Sequence, residues 1–431
     1  MDDTIFAQAS AHGRAGVAVF RVSGPQAFVA GRALAGDLPP PRQAALRWIR
    51  DPATGEPLDR GLVLAFPGPG SFTGEDCLEL HLHGSVAVAR SLFSALRSLP
   101  GLRLAVAGEF TRRALMNGRL DLSQVEGLAD LVGAETAAQQ AQALAVMNGS
   151  VSRLIDGWRR DLTHALALTE AGIDFADEEL PDDLLDAIRA AVSRVAAAMR
   201  REAAGFGAAE RVRDGFEVAL VGPPNAGKST LLNAIARRDV AITAPTAGTT
   251  RDILEVRLDV DGLPLTLLDM AGMRETDETV ESLGVARARA RARDADLRIF
   301  LLEDVSAVDA LGVSVGADDI VLRGKDDAGE FGGVSGATGA GISMLLQRIG
   351  GALRERVAGA GSVAHARQHA AIEEAIVALD AADLSLEGGE GSIDLAAEEL
   401  RAALRTLDLV VGRVDVEGVL DVIFASFCLG K

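Results

Sequence analysis

The sequence predicts a multidomain fold: an α+β domain at the N-terminus, an all-α domain, and an α/β domain inserted between two halves of the helical one. Three observations predict it. Residues 1–118 carry short alternating apolar runs separated by Gly and Pro. Residues 119–212 are rich in Ala, Leu, Glu and Arg with helical periodicity, and that pattern returns over 355–431. Between them, over 213–354, apolar runs of strand length alternate with glycine-rich turns and helix-forming runs.

Each element follows from a local pattern. Residues 16–22 and 77–83 alternate apolar with other side chains and read as strands, and residues 87–99 read as a helix stopped by Pro100-Gly101. Pro181 breaks the helical stretch, so three or four long helices are expected in residues 119–212. In the inserted segment, Asp261-Gly262 between two apolar runs reads as a hairpin turn. The cluster Gly388-Gly389-Glu390-Gly391 reads as a loop in the second helical half.

Composition bounds the function. The chain has 431 residues, 48% of them hydrophobic, enough for several packed cores. A net charge of −19 argues against non-specific wrapping of nucleic acid and leaves room for a local basic groove. Tyr is absent and aromatic residues make up 4%, so base-stacking platforms are not expected to dominate. Two cysteines, Cys77 and Cys428, are too few for a disulfide framework. The first residues lack the basic and apolar regions of a signal peptide, and no apolar run reaches the ~18–20 residues that span a bilayer. A cytoplasmic protein without a membrane segment is expected.

The chemistry centres on Gly222-Pro-Pro-Asn-Ala-Gly-Lys-Ser229, which fits the P-loop pattern G-x-x-x-x-G-K-[ST]. An apolar strand run, 216–221, feeds it and a helical run, 230–236, follows. This order aims backbone N–H groups and a helix N-terminus at one point, where phosphate binds. Asn225, Ala226, Gly227, Lys228, Ser229 and Thr230 are therefore expected to hold a nucleotide, with Lys228 reaching the β- and γ-phosphates and Ser229 holding Mg²⁺. Downstream, residues 265–269 end in Asp269 with Gly272 three residues on, a D-x-x-G placed to face Mg²⁺ and sense the γ-phosphate. Thr249 and Thr250 lie between the two motifs. A Thr there adds its hydroxyl to Mg²⁺ only while the γ-phosphate is present, which makes the loop a switch, and Thr250 is the expected ligand. This order is that of a Ras-like P-loop GTPase domain.

Guanine recognition is expected after a further strand at residues 320–322. Where the N-K-x-D motif would stand, the chain has Gly324, Lys325, Asp326 and Asp327. Asp327 can accept from the guanine ring, Lys325 can cover its face, and Ser335-Gly336 can offer a backbone N–H to its oxygen. Gly324 cannot supply the Asn amide. GTP is expected over ATP, with lower affinity than a chain carrying the usual Asn at that position. Met273 stands where many GTPases carry a water-orienting Gln, and no arginine finger is identifiable in the sequence, so another group must neutralise charge near the β–γ bridge.

Four places outside the nucleotide motifs are specific. They are Asp3-Thr-Ile-Phe-Ala-Gln-Ala-Ser10 with Gly13-Arg-Ala-Gly-Val17, and Ser71-Phe-Thr-Gly-Glu-Asp-Cys-Leu-Glu79 followed by His81 and His83-Gly84. The others are Gly108-Glu-Phe-Thr-Arg-Arg-Ala114 running into Leu120-Asp-Leu-Ser-Gln-Val-Glu126, and the terminal Phe427-Cys-Leu-Gly-Lys431. Over its whole length the chain resembles the tRNA-modifying GTPases of the MnmE (TrmE) family.

The resemblance implies a homodimer formed through a folate-binding N-terminal domain, 1–118, with a tetrahydrofolate derivative (5-formyl or 5,10-methylene) near Arg21, Glu79 and Arg119. The GTPase domain would span 213–354 and the helical domain 119–212 with 355–431. It implies a partner, MnmG (GidA), that carries FAD, and addition of an aminomethyl or carboxymethylaminomethyl group to C5 of a tRNA wobble uridine. It further implies a K⁺ ion held by Asn225 and by carbonyls around Ala244, Thr246 and Thr249. Glu281 would orient the attacking water, and Cys428 would supply a thiolate near the folate. A different reading of the same motifs is a regulatory GTPase in ribosome assembly or signalling. The folate-type N-terminus and the Cys-Leu-Gly-Lys tail favour the first. His81 and His83 lack further ligands at useful spacing, and the arginines at 287, 289, 291 and 293 spread around a helix, so both groups read as ordinary packing or surface residues.

Overall fold

The computed structural model describes all residues except 1–2, 175–183, 224, 239, 243–254, 270–293, 305–314, 389–391, 414–419, 421–422, 425–426, 428–429 and 431. The chain forms two compact units, residues 1–129 with 411–431 and residues 130–410.

The first unit is built on a six-stranded sheet of order β3-β4-β5-β2-β1-β6. Its strands are β1 (Thr4–Gln8), β2 (Ala15–Ser23), β3 (Ala45–Arg50), β4 (Pro57–Phe66), β5 (Cys77–Gly84) and β6 (Leu102–Leu104). All neighbours are antiparallel except β1 with β6. Period-two alternation sends Phe20, Val22, Ile49, Val63, Leu78, Leu80 and Leu82 to one face. There they meet helices α1 (Ala27–Ala35) and α2 (Val86–Ser98). Ser85 caps α2 by accepting from the N–H groups of Ala87 and Val88, and the helix ends before Pro100 as the breaker predicts. The other face carries Arg21, Glu79 and His81 with the exposed Leu46, Trp48 and Leu62.

Helices α3 (Glu109–Met116) and α4 (Leu122–Gly133) follow. Leu122 and Val125 pack with Leu420, Phe424 and Phe427, which ties the C-terminal tail into this unit. Arg113 on α3 is fully buried. Its guanidinium donates to Asp3 (2.8 Å), Glu75 (3.0 Å) and Glu109 (3.3 Å). Arg103 completes the cluster, at 2.6 Å from Asp3 and 2.5 Å from Glu109.

That cluster sets an acid limit. Burial alone would raise the Glu109 pKa, but hydrogen bonds from Arg103 and the Val106 N–H, with the charges of Arg103 and Arg113, outweigh it and hold the carboxyl below its usual range. Unfolding returns Glu109 to an ordinary value, so in acid the unfolded chain takes the proton first. The stabilisation is whole above the unfolded pKa and is lost as pH falls through the lower folded one. The urea midpoint of the native chain is expected to fall between about pH 5 and pH 3 more steeply than that of Glu109→Gln. Parallel pH profiles would remove Glu109 from the account.

The second unit joins helices to a five-stranded sheet of order β11-β10-β7-β9-β8. The strands are β7 (Phe216–Val221), β8 (Glu255–Val260), β9 (Leu263–Asp269), β10 (Leu297–Leu302) and β11 (Ile320–Arg323), parallel except β8 against β9. β8 and β9 form the expected hairpin, and both turn residues, Asp261 and Gly262, have positive φ (53° and 84°), as a tight hairpin requires. Helices α9 (Lys228–Ala236) and α10 (Ile342–Val357) pack on the sheet through Leu231, Leu232, Ile235, Leu345 and Ile349.

The helical part contains α5 (Ala137–Met147), α6 (Ser150–Asp174), α7 (Leu184–Ala204), α8 (Phe206–Asp214), α11 (Ala366–Glu387) and α12 (Ile393–Val411). α5 starts with a capping box, Thr136 and Gln139 satisfying each other's backbone N–H. Apolar stripes at helical spacing, such as Ile188, Val192, Val195 and Met199 on α7, are buried. Ion pairs across the helices, Arg189–Asp383 (3.1 Å) and Arg159–Asp408 (2.7 Å), fix their alignment. Among the described residues no helix is long and apolar enough to cross a membrane.

Candidate nucleotide and folate sites

Strand β7 delivers the chain to Gly222, where any side chain would collide with the carbonyl of Leu301 on β10. The turn then needs left-handed backbone at Asn225 (φ 64°) and Gly227 (φ 94°), and Asn and Gly are the residues that adopt it most readily. Gly227 opens α9, so the helix N-terminus faces the turn. Lys228 is 3% exposed, and its ammonium donates to the carbonyls of Gly222 (2.7 Å) and Pro223 (2.8 Å). Burial lowers its pKa, and the Asp269 charge partly offsets this. Asp269, at the end of β9, is buried, and the Ser229 hydroxyl donates to its carboxylate. A hydroxyl and a carboxylate oxygen side by side are the hard donors Mg²⁺ takes. Ala226 is buried and Thr230 lies in the first turn of α9.

The residues expected to read the base lie at the same carboxyl edge of the parallel strands, where open α/β sheets bind ligands. Lys325 follows β11 with φ 57° and pairs with Glu303 at 2.6 Å. The Ser335 hydroxyl donates to Asp327 at 2.5 Å. It also accepts from the N–H groups of Ala337 and Thr338, both at 3.1 Å, which fixes the Ser335-Gly336 turn. A Cβ on Gly336 would lie 2.5 Å from the Leu231 nitrogen, so this turn rests directly on α9.

Asp326, read from sequence as the variable position of the motif, is the organiser of this loop. It is buried and accepts from the N–H groups of Glu330 (3.1 Å), Phe331 (3.1 Å) and Gly333 (2.9 Å). Burial alone would raise its pKa; those three donors outweigh it and hold the carboxyl below its usual range. A carboxylate followed by a Gly-rich turn was the available signal.

In the first unit, Arg21 and Glu79 stand opposite each other across β2 and β5 and pair at 2.8 Å. The Arg21 guanidinium lies 5.5 Å from the Phe72 ring centroid and 5.7 Å from that of Phe110. Burial would raise the Glu79 pKa, but Arg21 and a hydrogen bond with His81 prevail and keep it ionised. His81 is thus tied to Glu79 (3.2 Å) and His83 to Asp59 (2.8 Å). No cluster of three or more His, Cys, Asp or Glu fit for a metal ion occurs among the described residues. Arg119 is exposed, and its stem runs beside Gly74, in the loop that carries Phe72. Cys77 is buried, within 3.1 Å of the Thr73 hydroxyl and 3.3 Å of that of Ser23. Gly430 of the tail sits against the carbonyl of Gln8, one residue along β1 from Ala7, the partner of Arg21.

The remaining expected site residues, Ala244, Thr246, Thr249, Thr250, Gly272, Glu281 and Cys428, lie outside the described residues, as does Met273.

A strand-turn-helix that buries a lysine, an Asp on the neighbouring strand bonded to the P-loop serine, and a Gly-rich loop after the edge strand at the same sheet edge define a P-loop GTPase. The family models narrow this further. One described as the MnmE helical domain matches residues 122–428, and one described as the GTP-binding protein TrmE N-terminus matches residues 4–119. The chain belongs to the MnmE family of tRNA modification GTPases. It is 55% identical over 431 residues to the tRNA modification GTPase MnmE of Cereibacter sphaeroides, covering 100% of both chains. It is 53% identical to that of Ruegeria pomeroyi, again over 100% of each. Among solved structures, the FeoB G-domain from Methanococcus jannaschii aligns with 32% of this chain and 98% of its own, at 21% identity and a TM-score of 0.20.

Proposed function

We propose that the chain couples GTP hydrolysis to the modification of tRNA at C5 of the wobble uridine. A tetrahydrofolate derivative supplies the one-carbon unit, and an FAD-carrying partner of the MnmG type acts alongside. The observation that carries this reading is the pairing of Arg21 with Glu79, with the Phe72 and Phe110 rings beside the guanidinium, in the unit where the terminal tail also packs. An ionised carboxylate suits the N–H donors of a pterin ring. Cations at Arg21 and Arg119 suit a polarised carbonyl or a glutamate tail. Aromatic rings beside them suit a flat heterocycle. Cys428, three residues before the C-terminus, would bring a thiolate to the same place.

In the nucleotide site Lys228 would hold the β- and γ-phosphates, and Ser229, Thr250 and Asp269 would hold Mg²⁺. Lys325, Asp327 and Ser335-Gly336 read guanine. With Met273 unable to orient water, Glu281 takes that part. Asn225 with carbonyls near Ala244, Thr246 and Thr249 would hold K⁺, which supplies positive charge where other GTPases use an arginine. The open sheet face with Leu46, Trp48 and Leu62 is the surface on which a second copy would pack to form the homodimer.

Calorimetry of the full-length chain with 5-formyltetrahydrofolate tests the carrying observation. Binding is expected, weakened about tenfold or more in Glu79→Gln, which removes a charge-assisted contact. No binding by the native chain, or equal binding by the variant, would contradict the folate reading.

A further inference from the structure

Gly324 occupies the position where the guanine motif calls for Asn, and its surroundings leave no room for a side chain. A Cβ there would lie 2.6 Å from the carbonyl oxygen of Ala226 and 2.9 Å from Cγ of Leu301. The first is P-loop backbone and the second is a core side chain with 1% exposure. Residue 324 has no freedom to retreat. Its N–H donates to the Leu302 carbonyl at 2.7 Å, and on its other side it bridges Val334, whose N–H bonds Arg323 at 2.8 Å. Any side chain at 324 must therefore displace the P-loop at Ala226, between Asn225 and Gly227.

We propose that Gly324 is a positioning residue: by letting the backbone of β11 close directly onto the P-loop, it sets the spacing between the base-reading loop and the phosphate-binding turn. In this chain a direct backbone approach occupies the space that the side chain called for by the guanine motif would need. Two other close approaches act in the same sense. Gly222 closes the P-loop onto Leu301, and Gly336 closes the base-side turn onto Thr230 and Leu231 of α9. Asn at 324 would offer an amide and at the same time push the phosphate loop away. The contact geometry thus reverses the sign given by the motif comparison. Restoring the usual residue weakens nucleotide binding.

The inference rests on the assignment of Asp327 and Ser335-Gly336 to the base, and the experiment separates the two. Dissociation constants for GDP, IDP and ADP are measured on the native chain, Gly324→Ala and Gly324→Asn, alongside thermal melts. Both variants are expected to bind GDP about tenfold more weakly, the scale of a modest overpacking. Because the defect lies in the P-loop and leaves the base edge intact, IDP is weakened by the same factor and the GDP/IDP ratio does not move. Melts of Gly324→Ala that match the native chain separate this loss of affinity from a general loss of folding. Unchanged or tighter GDP binding by Gly324→Asn overturns the proposal, as does a changed GDP/IDP ratio. A native chain that does not prefer GDP to ADP overturns the base-loop assignment itself.

Discussion

Lys228→Ala is expected to lower kcat/KM for GTP by roughly 10²–10³-fold, the usual loss when one preorganised charge donor is removed from a reaction site. The side chain is buried, and its ammonium is held by the carbonyls of Gly222 and Pro223 at the mouth of the P-loop. Burial makes the charge costly to keep, which is why its pKa is lowered, and Asp269 offsets part of that cost. A cation held in so dry a place interacts with phosphate far more strongly than one in water. Lys228→Arg should not rescue the loss, because a planar fork does not fit a turn shaped around a compact ammonium. Steady-state hydrolysis, with melts to show that the variant is folded, checks this. A loss smaller than about tenfold would mean that the charge acts elsewhere.

Arg113→Met is expected to destabilise the first unit by about 3 kcal/mol, the low end for breaking a buried ion cluster from one side. Arg113 meets three carboxylates while fully buried. Its removal leaves Glu75 and Glu109 less well compensated, although Arg103 still reaches Glu109 and Asp3, which keeps the loss at the low end. For a unit of this size the melting temperature should drop by roughly 6–12 °C. Arg113→Lys should recover part of the charge interaction and little of the geometry, since one ammonium cannot serve three carboxylates set around a fork. A melt of the first unit that matches the native one would show that the cluster adds no net stability.

Much of the framework around the candidate nucleotide site was legible because its signals are local. The P-loop, Asp269 at a strand end, the Asp261-Gly262 turn and the Ser335-Gly336 turn are each written within a few residues. The strands around them follow from continuous apolar runs such as 216–221, as buried parallel strands require. The first unit was less legible. Strand β1 is buried on both faces, so Thr4–Gln8 shows no alternation. Strand β3 carries Leu46 and Trp48 outward and Ile49 inward, which blurs its period. Strand β4 contains Pro57 and Gly61, ordinarily strand breakers. Gly61 is there because a Cβ would strike the His81 carbonyl on β5. Arg113 read only as a motif residue, since its partners Asp3 and Glu75 stand 110 and 38 residues away. Asp326 and Gly324 were visible as residues and not as roles. A buried loop carboxylate and a forbidden Cβ are properties of neighbours that the sequence places elsewhere.

The most direct test of the central claim is mass spectrometry of wobble-uridine nucleosides in tRNA from cells that lack the chain and then carry either the native form or Lys228→Ala. Loss of the C5-modified nucleosides in the deletion, with recovery by the native form alone, is the predicted result. Nucleosides unchanged by the deletion, or restored equally by Lys228→Ala, would contradict a GTP-driven role in tRNA modification.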